Sequence, residues 1–225
     1  MKNPLGKRIG TLLLALALCV GAAPRARAAD TLESFVDLDR RAWYAPGVRF
    51  CLKNELMTGD GKLVRIFDPD EPMTRAQLVT ILWRMAGEPK TGLTMQYGDV
   101  PEGQFYTEAV RWALAEGLMG GYTAVTFAPD DPITREQIAV LFWNYARWVN
   151  GSVPKVTDER CESYGDCGEV SPYARDAMEW ACALGVITGY RDWRGEFWLM
   201  PWGNSSRAVV ATMLMRFCLD LGICE

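Results

Sequence analysis

An arginine recurs three times in segments that otherwise have the features of a helix start. The segments are PMTRAQLVTILWRM from Pro72, PITREQIAVLFWNY from Pro132 and SSRAVVATMLMRF from Ser205. A guanidinium beside the free amides of a helix N-terminus can bind a carboxylate or a phosphate group. The helix dipole opposes a cation at this position by about 0.3–1 kcal/mol. Something must therefore compensate the charges of Arg75, Arg135 and Arg207.

Two explanations for these arginines are open from the residues alone. Each arginine could pair with acids just upstream, such as Asp70 and Glu71 or Asp130 and Asp131, on a solvated surface. Alternatively, a cation that recurs at one fixed helix position could hold an anionic ligand. The sequence supports the structural cation and the ligand clamp about equally.

Apolar spacing places each arginine at a fixed point relative to one helix face. The residues three, six, seven and ten positions after each arginine are apolar, which predicts an amphipathic helix in all three segments. The pairs Thr74–Gln77 and Thr134–Gln137 have the spacing of a capping box, in which a hydroxyl and a glutamine satisfy first-turn amides. The third segment has Val209 where the glutamine belongs, so we expect its helix start to be weaker.

The arginine segment is the second half of a longer repeat. The stretches 35–59, 97–121 and 167–189 are alike and predict a first helix in each copy, at roughly 45–57, 106–118 and 173–186. An acidic residue, Asp37, Asp99 or Glu169, precedes each arginine by 36 to 38 positions. We predict an all-α fold of three tandem helix–loop–helix copies at residues 33–90, 95–152 and 161–225. Two helices cannot bury their own apolar faces, so the copies should pack as one bundle.

Residues 1–28 have the features of a cleaved secretory signal, with basic residues, an apolar run at 12–20 and a small-residue exit. This segment holds five of the 24 basic residues and no acid, which leaves 19 basic and 28 acidic residues and a net charge of about −9. Such a surface argues against nucleic acid as a partner. No other stretch is apolar over the roughly 20 residues that a membrane span needs.

Six cysteines remain after the predicted signal, at positions 51, 161, 167, 182, 218 and 224. An even number in an exported chain predicts disulfides, and we expect two or three of them, concentrated in copy 3. A zinc site is the alternative, but the chain has no histidine and no Cys-x-x-Cys pair. We therefore expect no metal and no cofactor.

The order of short motifs resembles the S-layer homology domain, repeated three times. The motifs are F-x-D at Phe35, the aromatic pairs Trp43-Tyr44 and Phe105-Tyr106, G-L-x-x-G at Gly117, F-x-P and T-R-[AE]-Q. Copy 2 matches best, copy 1 matches well, and copy 3 matches only in outline. The resemblance implies a pseudo-threefold helical bundle formed within one chain, so that the protein is a monomer.

The resemblance also implies a partner and a site. The family binds cell-wall polysaccharides linked to peptidoglycan, often with pyruvylated sugars, in grooves between adjacent copies. By motif position, the residues that it implicates are Arg75, Arg135, Arg207, Asp37, Asp99, Gly59, Gly121 and Gly189. The arginines would clamp the anion, and Arg207 would matter least. Replacing Arg75 or Arg135 by alanine should then leave the melting temperature unchanged or slightly raised. The three glycines read more readily as helix C-caps than as ligand contacts.

These observations leave three classes of function for this protein. The favoured one is non-covalent attachment of a secreted protein to the bacterial cell wall or S-layer. The alternative is a secreted protein-interaction scaffold that keeps the bundle but has lost glycan binding. The third is a wall-acting enzyme, and it is disfavoured because the chain has no histidine and no nucleophile motif. We therefore expect no catalytic residues.

Overall fold

The computed structural model describes residues 30–59, 65–153, 156 and 160–222. In these ranges the chain forms six α-helices: α1 (Ala45–Lys53), α2 (Arg75–Met85), α3 (Thr107–Ala115), α4 (Arg135–Asn150), α5 (Arg175–Ala183) and α6 (Arg207–Leu221). The all-α prediction is therefore confirmed. The predicted signal at 1–28 lies outside the described residues. None of these six helices has the length and apolar character needed to cross a membrane.

The starts of the second helices lie where the capping pattern places them. Thr74 accepts a hydrogen bond from the Gln77 amide at 3.2 Å, and the Gln77 side chain accepts one from the Thr74 amide at 3.0 Å. Thr134 and Gln137 form the same reciprocal pair at the start of α4. Ser206 makes no side-chain cap bond at the start of α6, in agreement with the weaker signal there.

The first helices end three or four residues earlier than the apolar spacing predicts. The residues Glu55, Gly117 and Gly185 follow the ends of α1, α3 and α5 with φ of 55°, 66° and 70°. A residue in this left-handed region terminates a helix, and glycine adopts it without a steric penalty. Copy 1 therefore uses a glutamate at a position where the other two copies use glycine.

Helix packing closes the three copies into a ring. The most extensive helix contacts join α2 to α3, α4 to α5, and α6 to α1. Each second helix thus packs against the first helix of the next copy, and the third copy returns to the first. This cyclic order is that of the pseudo-threefold bundle that the resemblance implies.

Three backbone hydrogen bonds form a second ring at the centre of this arrangement. The Met73 amide donates to Ser205 at 2.9 Å, Ser205 to Ile133 at 3.2 Å, and Ile133 to Met73 at 2.9 Å. All three residues are buried. The Ser205 hydroxyl finds no hydrogen-bond partner within the described ranges, whereas the equivalent side chains of copies 1 and 2 are apolar. Copy 3 thus carries a buried polar group at the centre of the fold.

A short β-hairpin in copy 3 was not predicted from the helical patterns. Strand β1 (Tyr190–Arg191) pairs antiparallel with β2 (Phe197–Trp198). Asp192 shapes the turn, because its carboxylate accepts bonds from the amides of Arg194 at 2.8 Å and Glu196 at 2.9 Å. Such local bonds stabilise a hairpin without the long alternating pattern by which strands are usually recognised.

The predicted disulfides are not found among the described residues. No disulfide bond joins any two of the cysteines at positions 51, 161, 167, 182 and 218. Cys224 lies outside the described ranges. No group of three or more cysteine or acidic side chains in the described part of the chain could hold a metal ion.

The strained end of α1 gives a test of the helix terminus. Replacing Glu55, which is exposed, by glycine should raise the free energy of unfolding by about 0.5–1 kcal/mol, because glycine relieves the left-handed strain at some entropic cost. Urea unfolding of the purified variant measures this change. The matched control is Gly117→Ala, which should destabilise, because no neighbour lies within 4 Å of its added Cβ and only the backbone strain remains. A loss of stability in Glu55→Gly would contradict the interpretation.

Candidate functional site

Each motif arginine reaches across to the loop of the next copy. Its Nε and Nη2 atoms donate hydrogen bonds to two backbone carbonyls there. Arg75 donates to Phe127 and Gly120, each at 3.0 Å. Arg207 donates to Phe67 at 2.7 Å and to Thr58 at 3.0 Å.

Arg135 completes the set with bonds to Leu199 and Thr188 of copy 3. The three arginines therefore connect copy 1 to copy 2, copy 2 to copy 3 and copy 3 to copy 1. Within the described residues, no acidic side chain forms an ion pair with any of them. The interpretation in which upstream acids pair with the arginines is thus wrong, because Nε and Nη2 of each guanidinium donate to backbone carbonyls instead.

The faces of aromatic rings also stabilise the charged guanidinium groups. The Arg75 guanidinium carbon lies 4.3 Å from the ring centre of Tyr122 and 4.8 Å from that of Phe127. The Arg207 guanidinium carbon lies 4.8 Å from the Phe67 ring centre. Rings at this distance attract a cation through their quadrupole. Burial lowers the pKa of all three guanidinium groups from the usual value.

The backbone amides at the starts of the second helices also form hydrogen bonds between copies. The Arg75 and Ala76 amides donate to Asp131 and Pro129 of copy 2, each at 3.0 Å. The corresponding amides of α4 and α6 donate to copy 3 and copy 1 in the same way. Since the third amide bonds the capping threonine in α2 and α4, the first three donors have protein partners. A bare helix N-terminus that binds an anion is therefore not present in copies 1 and 2.

The motif carboxylates hold the turns that receive the arginines. Asp99 accepts bonds from the amides of Phe127 at 2.9 Å and Ala128 at 2.6 Å. Asp37 does the same for Phe67 and Asp68. The second residue of each turn has a positive φ without being glycine, 56° at Asp68 and 59° at Ala128. The carboxylate thus stabilises a strained turn whose carbonyl then accepts from the arginine.

In copy 3 this carboxylate belongs to Asp166, not to Glu169. Asp166 accepts bonds from the amides of Leu199 and Met200, each at 2.7 Å. The assignment of Glu169 was wrong because the alignment required a constant separation from the arginine. The segment Tyr164-Gly165-Asp166 repeats Tyr97-Gly98-Asp99 residue for residue, and this signal identifies the correct position.

The three candidate glycines serve neither as C-caps nor as left-handed turns. Each packs under an aromatic ring of its own copy. A Cβ on Gly121 would lie 2.6 Å from the Tyr97 ring, and one on Gly189 would lie 2.0 Å from the Tyr164 ring. A Cβ on Gly59 would lie 2.4 Å from the Phe35 ring. The C-cap interpretation fails because the first helices end earlier, at the residues with positive φ.

Glu136 is a buried site residue that sequence reasoning missed. Its carboxylate accepts bonds from the Ser171 amide at 3.1 Å, the Ser171 hydroxyl at 2.9 Å and the Tyr173 hydroxyl at 2.7 Å. Burial and the bond to Glu136 raise the pKa of Tyr173. The sequence does contain a signal for this residue. Glu136 stands at a position where the other two copies have alanine, Ala76 and Ala208.

One open groove lies where all three copies meet, and we name it groove 1. It is a cavity of about 300 Å³ that copy 1 lines with Gly59, Phe67 and α2. Copy 3 contributes Arg207 and copy 2 contributes Phe105, whose side chain is 59% exposed. Its other lining residues include Asp68, Glu71, Gln77 and Arg84. Arg84 makes no hydrogen bond or ion pair with the described part of the chain.

The equivalent positions of the other two interfaces differ from groove 1. Around Arg75, which is 2% exposed, the Tyr122 ring covers the guanidinium, and Asn144 takes the place of Arg84 and donates to the Leu118 carbonyl at 2.9 Å. We name this region groove 2. Around Arg135, the place of Arg84 belongs to Arg216, which donates to the Thr188 hydroxyl at 3.1 Å. We name this region groove 3.

Removing a motif arginine should destabilise the fold, contrary to the expectation from the helix dipole alone. Arg75→Ala leaves two carbonyls of copy 2 without their donor, so the free energy of unfolding should fall by roughly 2–4 kcal/mol. Lysine should restore only part, because it lacks the two-point geometry. Thermal unfolding measures both variants, with Arg147→Ala on the exposed face of α4 as the control. A melting temperature equal to that of the wild type would disprove the structural role of Arg75.

The carboxylate of Asp99 predicts a pH dependence of stability. Partial burial opposes its ionisation, but the amides of Phe127 and Ala128 and the charge of Arg75 lower its pKa overall. Because the folded pKa lies below the unfolded value of about 3.9, the ionised group stabilises the fold above that pH and loses its effect as the pH falls through the folded pKa. Asp99→Asn should therefore be less stable than wild type by about 1.5–3 kcal/mol at pH 7. Calorimetry at pH 3 should show a smaller difference, and a constant difference would contradict the assignment.

Comparison with known proteins identifies the repeated segment. A family model described as the S-layer homology domain matches residues 34–79 and 96–139. An endoglucanase of Bacillus sp. (strain KSM-635) is 26% identical over 210 residues, which are 92% of this chain and 21% of that protein. Cell surface glycoprotein 1 of Acetivibrio thermocellus is 29% identical over 133 residues, or 56% of this chain and 6% of that protein. A cellulosome-anchoring protein of the same organism is 25% identical over 131 residues, or 56% of this chain and 28% of that protein.

The chain spans between 6% and 28% of the length of these three relatives. The match to the endoglucanase covers about a fifth of that enzyme, so it assigns no catalytic activity to this chain. The two family matches begin just before the motif carboxylates and extend into the second helices of copies 1 and 2. Two segments of this chain, residues 34–79 and 96–139, therefore match the S-layer homology domain.

Proposed function

We propose that this chain attaches non-covalently to the bacterial cell wall by binding an anionic wall polysaccharide in groove 1. The proposal includes copy 3 as a third, divergent S-layer homology domain, since its arginine and carboxylate make the same contacts as those of copies 1 and 2. It also includes export of the chain and a position at the cell surface. Two of the relatives are named as a cell surface glycoprotein and a cellulosome-anchoring protein.

The observation that carries the proposal is the chemistry of groove 1. Arg84 lines the cavity without a protein partner among the described residues, and Arg207 lines it with one guanidinium nitrogen, Nη1, not engaged by a carbonyl. Two guanidinium groups at one cavity attract a carboxylate or phosphate substituent. A volume of about 300 Å³ lies at the lower end of the range for small-ligand sites, so it suits a terminal sugar with its acidic substituent.

The remaining lining of groove 1 fits a sugar better than a simple anion. Asp68 and Glu71 also line the cavity, and carboxylates accept hydrogen bonds from sugar hydroxyls. Phe105 and Ile81 present apolar surface to the same cavity, against which the C–H face of a sugar ring can pack. We propose an acidic sugar, such as a pyruvylated one, as the ligand class.

The three interfaces are proposed to differ in affinity. Groove 3 has the pair Arg135 and Arg216 and is the second candidate. Groove 2 is the weakest candidate, because Tyr122 covers Arg75 and Asn144 replaces the second arginine. Asp37 and Asp99 support the grooves through the turns that they hold, and Gly59 lies in the wall of groove 1.

The test is binding of purified wall polysaccharide to an Arg84→Gln variant by isothermal titration calorimetry. Losing one charge-assisted contact of about 1.5–3 kcal/mol should weaken binding roughly 10-fold or more. Stability should change little, since Arg84 has no protein partner to lose in the described ranges. The matched control is Arg147→Gln, because Arg147 also lies in the last turn of its helix and is exposed. Its affinity should stay within twofold of wild type.

Two outcomes would overturn the proposal. Unchanged affinity in Arg84→Gln would show that groove 1 does not hold the anion. Retention of the wild-type protein on cell walls from which the secondary polysaccharide has been stripped would favour a protein-interaction scaffold instead.

A further inference from the structure

The β-hairpin of copy 3, residues 190–198, presents aromatic side chains to solvent. Trp193 in its turn is 86% exposed, and Tyr190 in β1 and Phe197 in β2 are exposed as well. Single exposed apolar residues are common on protein surfaces, but several large rings on one short element are typical of a binding surface. The hairpin is therefore a candidate binding surface outside groove 1.

Hydrogen bonds hold the hairpin in one conformation. Besides the amides of the turn, the Asp192 carboxylate accepts a bond from the Trp198 indole at 3.3 Å. The Gly165 amide donates to the Phe197 carbonyl at 2.9 Å, which ties β2 to the rest of copy 3. Within the described residues, the indole of Trp193 makes no hydrogen bond. A ring that is positioned in this way and left free loses little further freedom when a ligand binds.

The charges of the hairpin do not favour an anionic ligand. Its charged side chains are Arg191 and Arg194, balanced by Asp192 and Glu196. The Arg194 guanidinium carbon lies 4.6 Å from the ring centre of Trp193, so it covers one face of the indole and leaves the other open. An open aromatic face beside both donors and an acceptor matches an uncharged sugar, which offers a C–H face and hydroxyl groups.

Both ends of the hairpin are attached to Arg135 at groove 3. The Arg135 guanidinium donates to the Thr188 carbonyl, just before β1, and to the Leu199 carbonyl, directly after β2. Trp193 is five residues from Thr188, so the two backbones are at most about 17 Å apart. Trp202, which is 62% exposed, directly precedes the carbonyl that accepts the Arg135 amide. Two exposed indoles thus belong to the segments that surround this arginine.

Copies 1 and 2 do not share these features. The loop 190–200 is four residues longer than the equivalent loop 122–128 of copy 2. Trp202 stands where the other copies have Asp70 and Asp130, so copy 3 has an apolar ring in place of a carboxylate that would repel an acidic polymer. The ring of three copies does not require either change, because the motif arginines make equivalent contacts at all three interfaces.

We propose that the hairpin is a subsite for uncharged sugars of the wall polysaccharide, with a sugar ring stacked on the open face of Trp193. The inference rests on the proposed function and extends it, because the grooves bind the acidic sugar and the hairpin binds the units that follow it. Arg194 donates hydrogen bonds to sugar hydroxyls, and Glu196 accepts them. The polysaccharide then runs from groove 3 along the hairpin.

Calorimetry with purified wall polysaccharide tests this subsite in the Arg84→Gln background, in which groove 1 is weakened. Adding Trp193→Ala should weaken the remaining binding roughly three- to tenfold, the range for an aromatic stacking contact. The matched control is Val125→Ala, since Val125 is 64% exposed in the equivalent loop of copy 2, and it should have no effect. The melting temperature should not change in either variant, because both side chains are exposed.

The outcomes separate this proposal from the proposed function. Unchanged affinity on adding Trp193→Ala would overturn the subsite alone, and absence of binding by the wild type would overturn both. If Arg84→Gln binds like wild type but Trp193→Ala weakens binding, groove 1 is wrong and the subsite stands. In about 0.5 M salt, where charge contacts are screened, the Trp193→Ala effect should persist. Its loss there would contradict an uncharged ligand.

Fluorine NMR of protein labelled with 5-fluorotryptophan gives a direct readout. The Trp193 resonance, assigned by its absence in Trp193→Phe, should shift when polysaccharide is added, and also when its acidic substituents have first been removed. The resonance of buried Trp112 should stay in place. A Trp193 resonance that ignores polysaccharide would overturn the proposal. So would one that shifts only with protein concentration, since a second copy of the chain would then be the occupant.

Discussion

The arginine that begins each second helix is the contact on which the rest of this structure depends. A cation at the positive end of a helix is unfavourable by itself, and it becomes favourable here because two carbonyls of the next copy accept its hydrogen bonds. One of those carbonyls, that of Phe127, lies in a turn that the Asp99 carboxylate holds through hydrogen bonds from the Phe127 and Ala128 amides. Each copy therefore lacks a complete environment for its own arginine, and only the closed ring of three supplies it.

The ring also explains why the groove and the fold share residues. Arg207 uses Nε and Nη2 to bind copy 1, and the same guanidinium forms part of the wall of groove 1. A side chain fixed in this way loses little further rotamer freedom when a ligand binds, so the groove is preorganised. Arg84 has no such anchor in the described residues, and its removal changes the groove without changing the ring. Arg207 therefore belongs to both the ring and groove 1, whereas Arg84 belongs to groove 1 alone.

Sequence reasoning was most reliable where one local rule determines the structure. The capping pairs and apolar spacing placed the starts of α2, α4 and α6 at the correct residues, because these signals lie within one helix turn. It failed where a contact spans copies, since no local pattern shows that the donors of Arg75 face carbonyls of copy 2. Gly59 and Gly121 were misread for a similar reason, because the aromatic ring packed on each lies 24 residues away in sequence. Glu169 was chosen by counting positions, although the Tyr-Gly-Asp triplet repeated nearby.

Copy 3 shows how a divergent repeat can keep its place in the ring. It lacks the capping side-chain bond at Ser206 and buries the Ser205 hydroxyl without a partner in the described ranges, and each departure removes or opposes stabilisation. The contacts that face its neighbours are nevertheless complete, because Asp166 and Arg207 occupy the same positions as their counterparts. Copy 3 therefore makes the same arginine and carboxylate contacts as the other copies although its own helix start has no side-chain cap bond.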